Sequence, residues 1–197
     1  VTARIVFADC ETISIDPGPA TIWELALIER NPAYSGDEEN LWHIRPDVPS
    51  GNAGSLAVGG YYRRCKVRAH APGSVLRVPL SPDQETEHLG SPQLAGQLAA
   101  ILDGAHLIAA NPQFDAGHMD AFLRANGECL TADYHYTDLG SLVRGYAVAH
   151  GMTLPWPLKV ADAARIVGLR PEDCEAHTAL GDVRMGRDIF DRVMAGA

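Results

Sequence analysis

Asp9 and Glu11 lie two residues apart, directly after the apolar run Val6-Phe7-Ala8. In a β-strand residues i and i+2 share a face, so the two carboxylates project together while Cys10 points the other way. Like charges that close repel, and burying them gains nothing unless a cation sits between them. Asp-x-Glu recurs at Asp37/Glu39, Asp83/Glu85 and Asp173/Glu175, but there no buried strand precedes it. Two further acids interrupt an otherwise regular pattern. Asp115, in "NPQFD", follows the apolar run "HLIAA" and falls where open α/β sheets collect their ligands, at the C-terminal end of a strand. Asp182, in "HTALGD", shares a helical face with Met185, Ile189 and Val193, a face that would pack on the sheet.

The elements that must carry these acids alternate. Residues 4–10, 21–30 and 40–46 read as three strands of an antiparallel meander. Residues 47–88 have no clear period. A helix then runs from about Ser91, with Pro92 in its first turn, to Gly104. "HLIAA" (106–110) reads as a central parallel strand. A helix at about 114–126, the strand "YHYTD" and helices near 139–150, 157–167 and 178–194 complete the order β-β-β-α-β-α-β-α-α-α. The expectation is one α/β domain over 1–197, with an irregular, loop-rich insertion at about 47–90.

The 197 residues are 46% hydrophobic, enough for a substantial core. No run reaches the roughly 18 apolar residues of a membrane span, no signal-peptide pattern opens the chain, and the four cysteines are scattered. A cytoplasmic protein without a membrane partner is expected. The net charge of −9 argues against gripping nucleic acid by bulk electrostatics, though not against an enzyme whose bound cations meet the phosphates.

"DCET" (9–12), "NPQFD" (111–115) and "HTALGD" (177–182) together resemble the three motifs of the DEDDh exonucleases. That family includes the epsilon proofreading subunit of DNA polymerase III, ribonuclease T and oligoribonuclease. "WELALI" and "GLRPEDCEAH" also read like family sequence. The resemblance implies a ribonuclease H-like mixed five-stranded sheet of order 3-2-1-4-5, with strand 2 antiparallel. It implies that Asp9, Glu11, Asp115 and Asp182 are catalytic and hold two divalent cations, Mg²⁺ or Mn²⁺, with His177 as general base. Hard cations suit an all-carboxylate set, and a histidine pKa of about 6.5 suits proton removal near neutral pH. Five residues along a helix turn side chains roughly 140° apart, so His177 is expected in the loop before the last helix, with Thr178 as N-cap.

Substrate contacts are expected from Thr12, Ile13, Ile15, Asn111, Phe114, Arg63 and Arg64. Ile13 and Ile15 read either as a wedge against the terminal base or as ordinary core. The stretch "YYRRCKVRAH" (61–70) reads either as a strand-binding segment or as a charged edge strand or solvated loop. Where the family often has Gly and His, this chain has Ser14 and Ala110, which bears on nucleotide contacts and not on metal ligation. Asp138 is expected to cap a helix. His43, His70, His88, His106, His118, His135 and His150 are expected to be structural or solvated.

The activity the resemblance implies is 3′–5′ hydrolysis of single-stranded DNA, releasing nucleoside 5′-monophosphates in proofreading or DNA processing. A DNA polymerase or replication complex is the candidate partner. An exoribonuclease is the first alternative. A catalytically inactive nucleic-acid-binding or scaffold module is the second, disfavoured because all four acids and the histidine are present.

Overall fold

The computed structural model describes residues 4–175 and 177–196. Its centre is β1 (Ile5–Thr12), flanked on one side by antiparallel β2 (Ile22–Arg30) and on the other by parallel β6 (His106–Ala109). Beyond β2 come β3 (Asp37–Ile44), β4 (Ser74–Arg77) and β5 (Glu87–Gly90), each antiparallel to the last. Beyond β6 lies parallel β7 (Asp133–Asp138). The order is β5-β4-β3-β2-β1-β6-β7, seven strands. The expected five are its middle and far side, in the expected order. The two additional strands come from the insertion.

Side-chain alternation on β1 divides the core. Val6, Ala8 and Cys10 face α3 (Ser91–Leu102) and α4 (Pro112–Ala125) in one cluster. Phe7 faces the opposite cluster, built by α5 (Leu139–Ala149), α6 (Val160–Ile166) and α7 (Ala179–Met194). The β1–β2 register shifts between Glu11 and Thr12, a bulge that re-aims the strand where its carboxylates emerge.

The insertion, expected to be irregular and loop-rich, carries short regular elements between its loops. Between residues 47 and 90 it holds a 3₁₀ turn at Val48–Ser50, α1 (Ala53–Val58) and α2 (Tyr61–Arg64), as well as β4 and β5. Asn52 caps α1 by accepting from Gly54 N at 2.8 Å. A third cluster of Ile13, Trp23, Leu56, Tyr61, Cys65, Val67 and Leu76 fastens the insertion to the sheet. The stretch 61–70 is therefore a short helix and a turn with buried anchors, and not an edge strand. Elements of four to six residues are too short to display a helical or strand period. No helix among the described residues is long and apolar enough to cross a membrane.

Candidate active site

Strand β1 delivers Asp9 and Glu11, the first turn of α4 delivers Asp115, and the first turn of α7 delivers Asp182. Asp115 sits on the helix behind the sheet and reaches the strand end through one bond: its Oδ1 accepts from Cys10 N at 3.0 Å. Asp9 and Asp182 line a single narrow cleft with Ala110 and Leu139. The acids act on one another. Burial, then the charges of Asp115, Asp182 and Glu11, push the Asp9 carboxyl well above its usual range. Burial carries Asp115 to about 7 against the opposing Cys10 bond. Burial also carries Glu11 to about 7, with Arg64 pulling the other way. Asp182 is raised by burial and partly relieved by His177. Without a counter-cation the four carboxylates are held in an environment that resists their ionisation.

A fifth acid belongs to this site, and none of the three motifs marks it. Glu24 pairs directly opposite Glu11 across the β1–β2 ladder and is 3% exposed. Burial alone would raise its pKa, but hydrogen bonds from His43, Arg64 and the Ala179 N–H bring it below the usual range. The Ala179 N–H bond is 2.8 Å long and caps the start of α7. His43 Nδ1 accepts from Lys66 N at 3.0 Å, which leaves Nε2, 3.1 Å from Glu24 Oε1, to donate. The signal for Glu24 lies in "IWELALI": a lone charge inside seven consecutive buried residues requires a partner.

That partner is Arg64. Its guanidinium bonds to Glu24 and to the His177 carbonyl, donates to Gly59 O at 2.7 Å, and lies 3.9 Å from Glu11. It also packs over Trp23 at 5.0 Å. The expected position of Arg64 is against substrate, yet buried Glu24 draws it inward, while neighbouring Arg63 stays exposed. Gly59 leaves room for the Glu11 carboxylate, since a Cβ there would fall 2.6 Å from Glu11 Oε2.

His177 is exposed and lies just before the N-cap, as the helical geometry requires. Thr178 Oγ1 accepts from Gly181 N at 3.0 Å and donates to Glu175 O at 2.7 Å. His177 itself has φ of 60°, a left-handed conformation that a non-glycine residue keeps only when its surroundings impose it. Its carbonyl is the group that Arg64 holds.

The remaining expected contacts separate. Ile13 is fully buried in the third cluster, whereas Ile15 is 73% exposed, so of the two Ile15 has a face free for a ligand. The Thr12 hydroxyl is turned into the backbone, donating to Ser14 O at 2.6 Å. Asn111 is exposed at the N-cap of α4, and Phe114 packs half-buried on the core beside His118. Asp138 caps α5, accepting from Ser141 N at 2.6 Å.

The donor chemistry of the four acids fits a hard divalent cation, because Asp115 and Asp182 raise the cost of ionising Asp9 and Glu11 and a cation would remove that cost. Among the described residues, no group of three or more His, Cys, Asp or Glu side chains is arranged to hold a metal ion.

No protein-family profile matches the chain, and no curated protein sequence matches it. Solved structures do. Exonuclease I matches with TM-score 0.68 at 15% identity over 98% of this chain. E. coli exonuclease I in complex with a dA16 oligonucleotide gives the same score at 15% identity, again over 98%. A complex of exonuclease I with the SSB C-terminus scores 0.68 at 14% identity over 99%. The fold is similar to that of the matching part of exonuclease I. The chain spans 41% of the length of the first two of these exonuclease I chains and of the third 42%. At such identity the likeness concerns the fold, and the chemistry must be argued from the residues in place.

Proposed function

We propose that the chain is a metal-dependent 3′–5′ exonuclease that hydrolyses single-stranded DNA from its 3′ end and releases nucleoside 5′-monophosphates. The observation that carries this reading is the convergence of Asp9, Glu11, Asp115 and Asp182, whose charges together raise the cost of ionising Asp9. Three separate elements bring them together in a fold otherwise seen in exonuclease I. These four residues would hold two divalent cations, Mg²⁺ or Mn²⁺, which when bound supply charge stabilisation at the phosphate and acidify water.

The chain's own groups have distinct tasks. His177, exposed on its loop and close enough to Asp182 to ease its ionisation, takes the proton from the attacking water. Asp115 is kept in orientation by Cys10 N, and Arg64 and Glu24 position the His177 backbone. Ile15 offers an apolar face to the terminal base, and Asn111 and Phe114 at the start of α4 complete the proposed substrate contacts. Exposed Arg63 meets the strand's phosphates. A replication-associated protein partner belongs to the same proposal, supported by the exonuclease I–SSB C-terminus complex.

The test is digestion of matched 5′-labelled DNA and RNA strands with Mg²⁺ or Mn²⁺. A descending ladder from DNA, abolished by EDTA and by Asp9→Asn, is expected. A faster ladder from RNA would make the enzyme an RNA-trimming one. No cleavage of either strand under any of these ions would refute the nuclease reading.

A further inference from the structure

Next to the acidic cleft lies a second groove of about 200 Å³, lined by Ala110, Asp138, Ser141, Arg144, Trp156 and Leu158 among others. Ala110 lines both this groove and the cleft that holds Asp9 and Asp182, so the two are adjacent. At its outer rim Trp156 is 80% exposed, a costly position for the largest apolar side chain. The ring is not loose. The Arg144 guanidinium carbon lies 3.5 Å from its centroid, and Arg144 Nη2 donates to Pro155 O at 2.6 Å, tying the loop to α5. No carboxylate among the described residues lies within ion-pair distance of Arg144. In a chain of net charge −9, where Arg30, Arg64, Arg165 and Arg184 are all paired with acids, that guanidinium is an available cation. The acid lining the groove, Asp138, already accepts the Ser141 N–H.

We propose that Trp156 and Arg144 form a stacking platform for a single-stranded nucleic acid, receiving a base of the strand whose end occupies the acidic cleft. A base stacks on the open face of the indole, and the guanidinium on its other side attracts the adjoining phosphate. Both contacts tolerate any sequence, because every base has a π-face and every linkage a charge. The arrangement rests on the exonuclease reading, since it uses the cleft to place the strand's end. An exposed aromatic ring backed by a guanidinium with no carboxylate partner among the described residues, and adjacent to the acidic cleft, fits a nucleic acid better than an apolar protein surface.

The chain offers its own probe. Trp23 and Trp42 are 0% and 1% exposed, so a ligand-induced change in tryptophan emission reports on Trp156. The wild-type protein is titrated with a ten-nucleotide oligothymidylate in Ca²⁺, and binding is followed in parallel by anisotropy of a labelled strand. Quenching that saturates with the anisotropy is expected. Trp156→Leu should weaken binding about five- to hundredfold, and Trp156→Phe, which can still stack, should stay close to wild type. Binding without any emission change, or a Leu variant that binds as tightly as wild type, would overturn the platform. Digestion of the same strand with Mn²⁺ separates the two ideas. Quenching without digestion removes the nuclease reading and keeps the platform, and digestion without quenching does the reverse.

Discussion

Arg64 of the inserted helix α2 is ion-paired with Glu24 of strand β2, beneath the acidic cluster and 4% exposed on the glutamate side. The same guanidinium holds the His177 carbonyl, so one side chain connects the insertion, the sheet and the start of α7. Arg64→Met should leave Glu24 buried without its cation and cost roughly 3–5 kcal/mol in denaturant unfolding. Glu24→Gln placed on top should recover part of that loss, because the two substitutions share one interaction. Strictly additive losses would mean that the pair is not the unit described. In activity, the expected signature of Arg64→Lys is a fall in kcat larger than the rise in KM, since the loop is displaced and not the substrate surface.

His177→Ala should lower the single-turnover rate about 10²- to 10⁴-fold. His177→Asn is similar in size but cannot accept the proton, and should be as slow as Ala across mildly acidic to mildly alkaline pH. An Asn variant near wild type, with its acidic limb intact, would reduce His177 to a hydrogen-bonding role. The positive φ of His177 adds a separate handle. His177→Gly should relieve the backbone and stabilise the fold slightly while still losing activity, a combination that melting and rate measurements together would reveal.

The metal-free protein should become less stable as pH rises from about 4.5 to 7. Glu11 and Asp115 are both raised to about 7, so over this window the folded state binds more protons than the unfolded one. Their protonated forms support the fold fully below the ordinary carboxylate range, and that support is lost on approaching 7. Melting temperatures in EDTA should therefore fall over the window and recover when Mg²⁺ or Mn²⁺ is added. Asp115→Asn keeps an acceptor for Cys10 N and should flatten the slope, with a gain of about 1–2 kcal/mol at pH 7. A metal-free melting curve that rises with pH would show that the acids are not pressed together in solution.

Arg63, Lys66 and Arg68 are exposed around α2, whereas Arg64 is held by Glu24. Replacing the exposed three with Gln should raise KM and make its dependence on salt shallower, by up to about 0.7 in slope for each phosphate no longer neutralised, with kcat little changed. An unaltered KM over a salt series would mean that these side chains face only solvent.

Much of the geometry of the candidate site was legible because its signals are local. Asp9 and Glu11 break an apolar strand, Asp115 follows one, and the five-residue step from His177 to Asp182 is incompatible with one helical face. The order of the middle strands followed from the resemblance that those motifs carry. What was not legible depended on neighbours far apart in sequence. Arg64 looks like one of four basic residues in an unpatterned segment, and nothing local says that it turns inward to Glu24. Ile13 and Ile15 alternate like any strand pair, and the β1 bulge with the third core cluster decides which is buried. Strands β4 and β5, four residues each, are made by pairing with β3 and have little periodicity of their own.

Asp9 lies in the first strand of the sheet and Asp182 in the last helix, with Glu24 waiting on β2 for the amide of Ala179. A chain still emerging from the ribosome can build the central strands and bury much of their apolar surface. It cannot complete the acidic cleft until α7 has been released. Under the proposed nuclease function, a nascent or truncated product that has formed its sheet but lacks α7 should be inactive, so synthesis itself would delay activity.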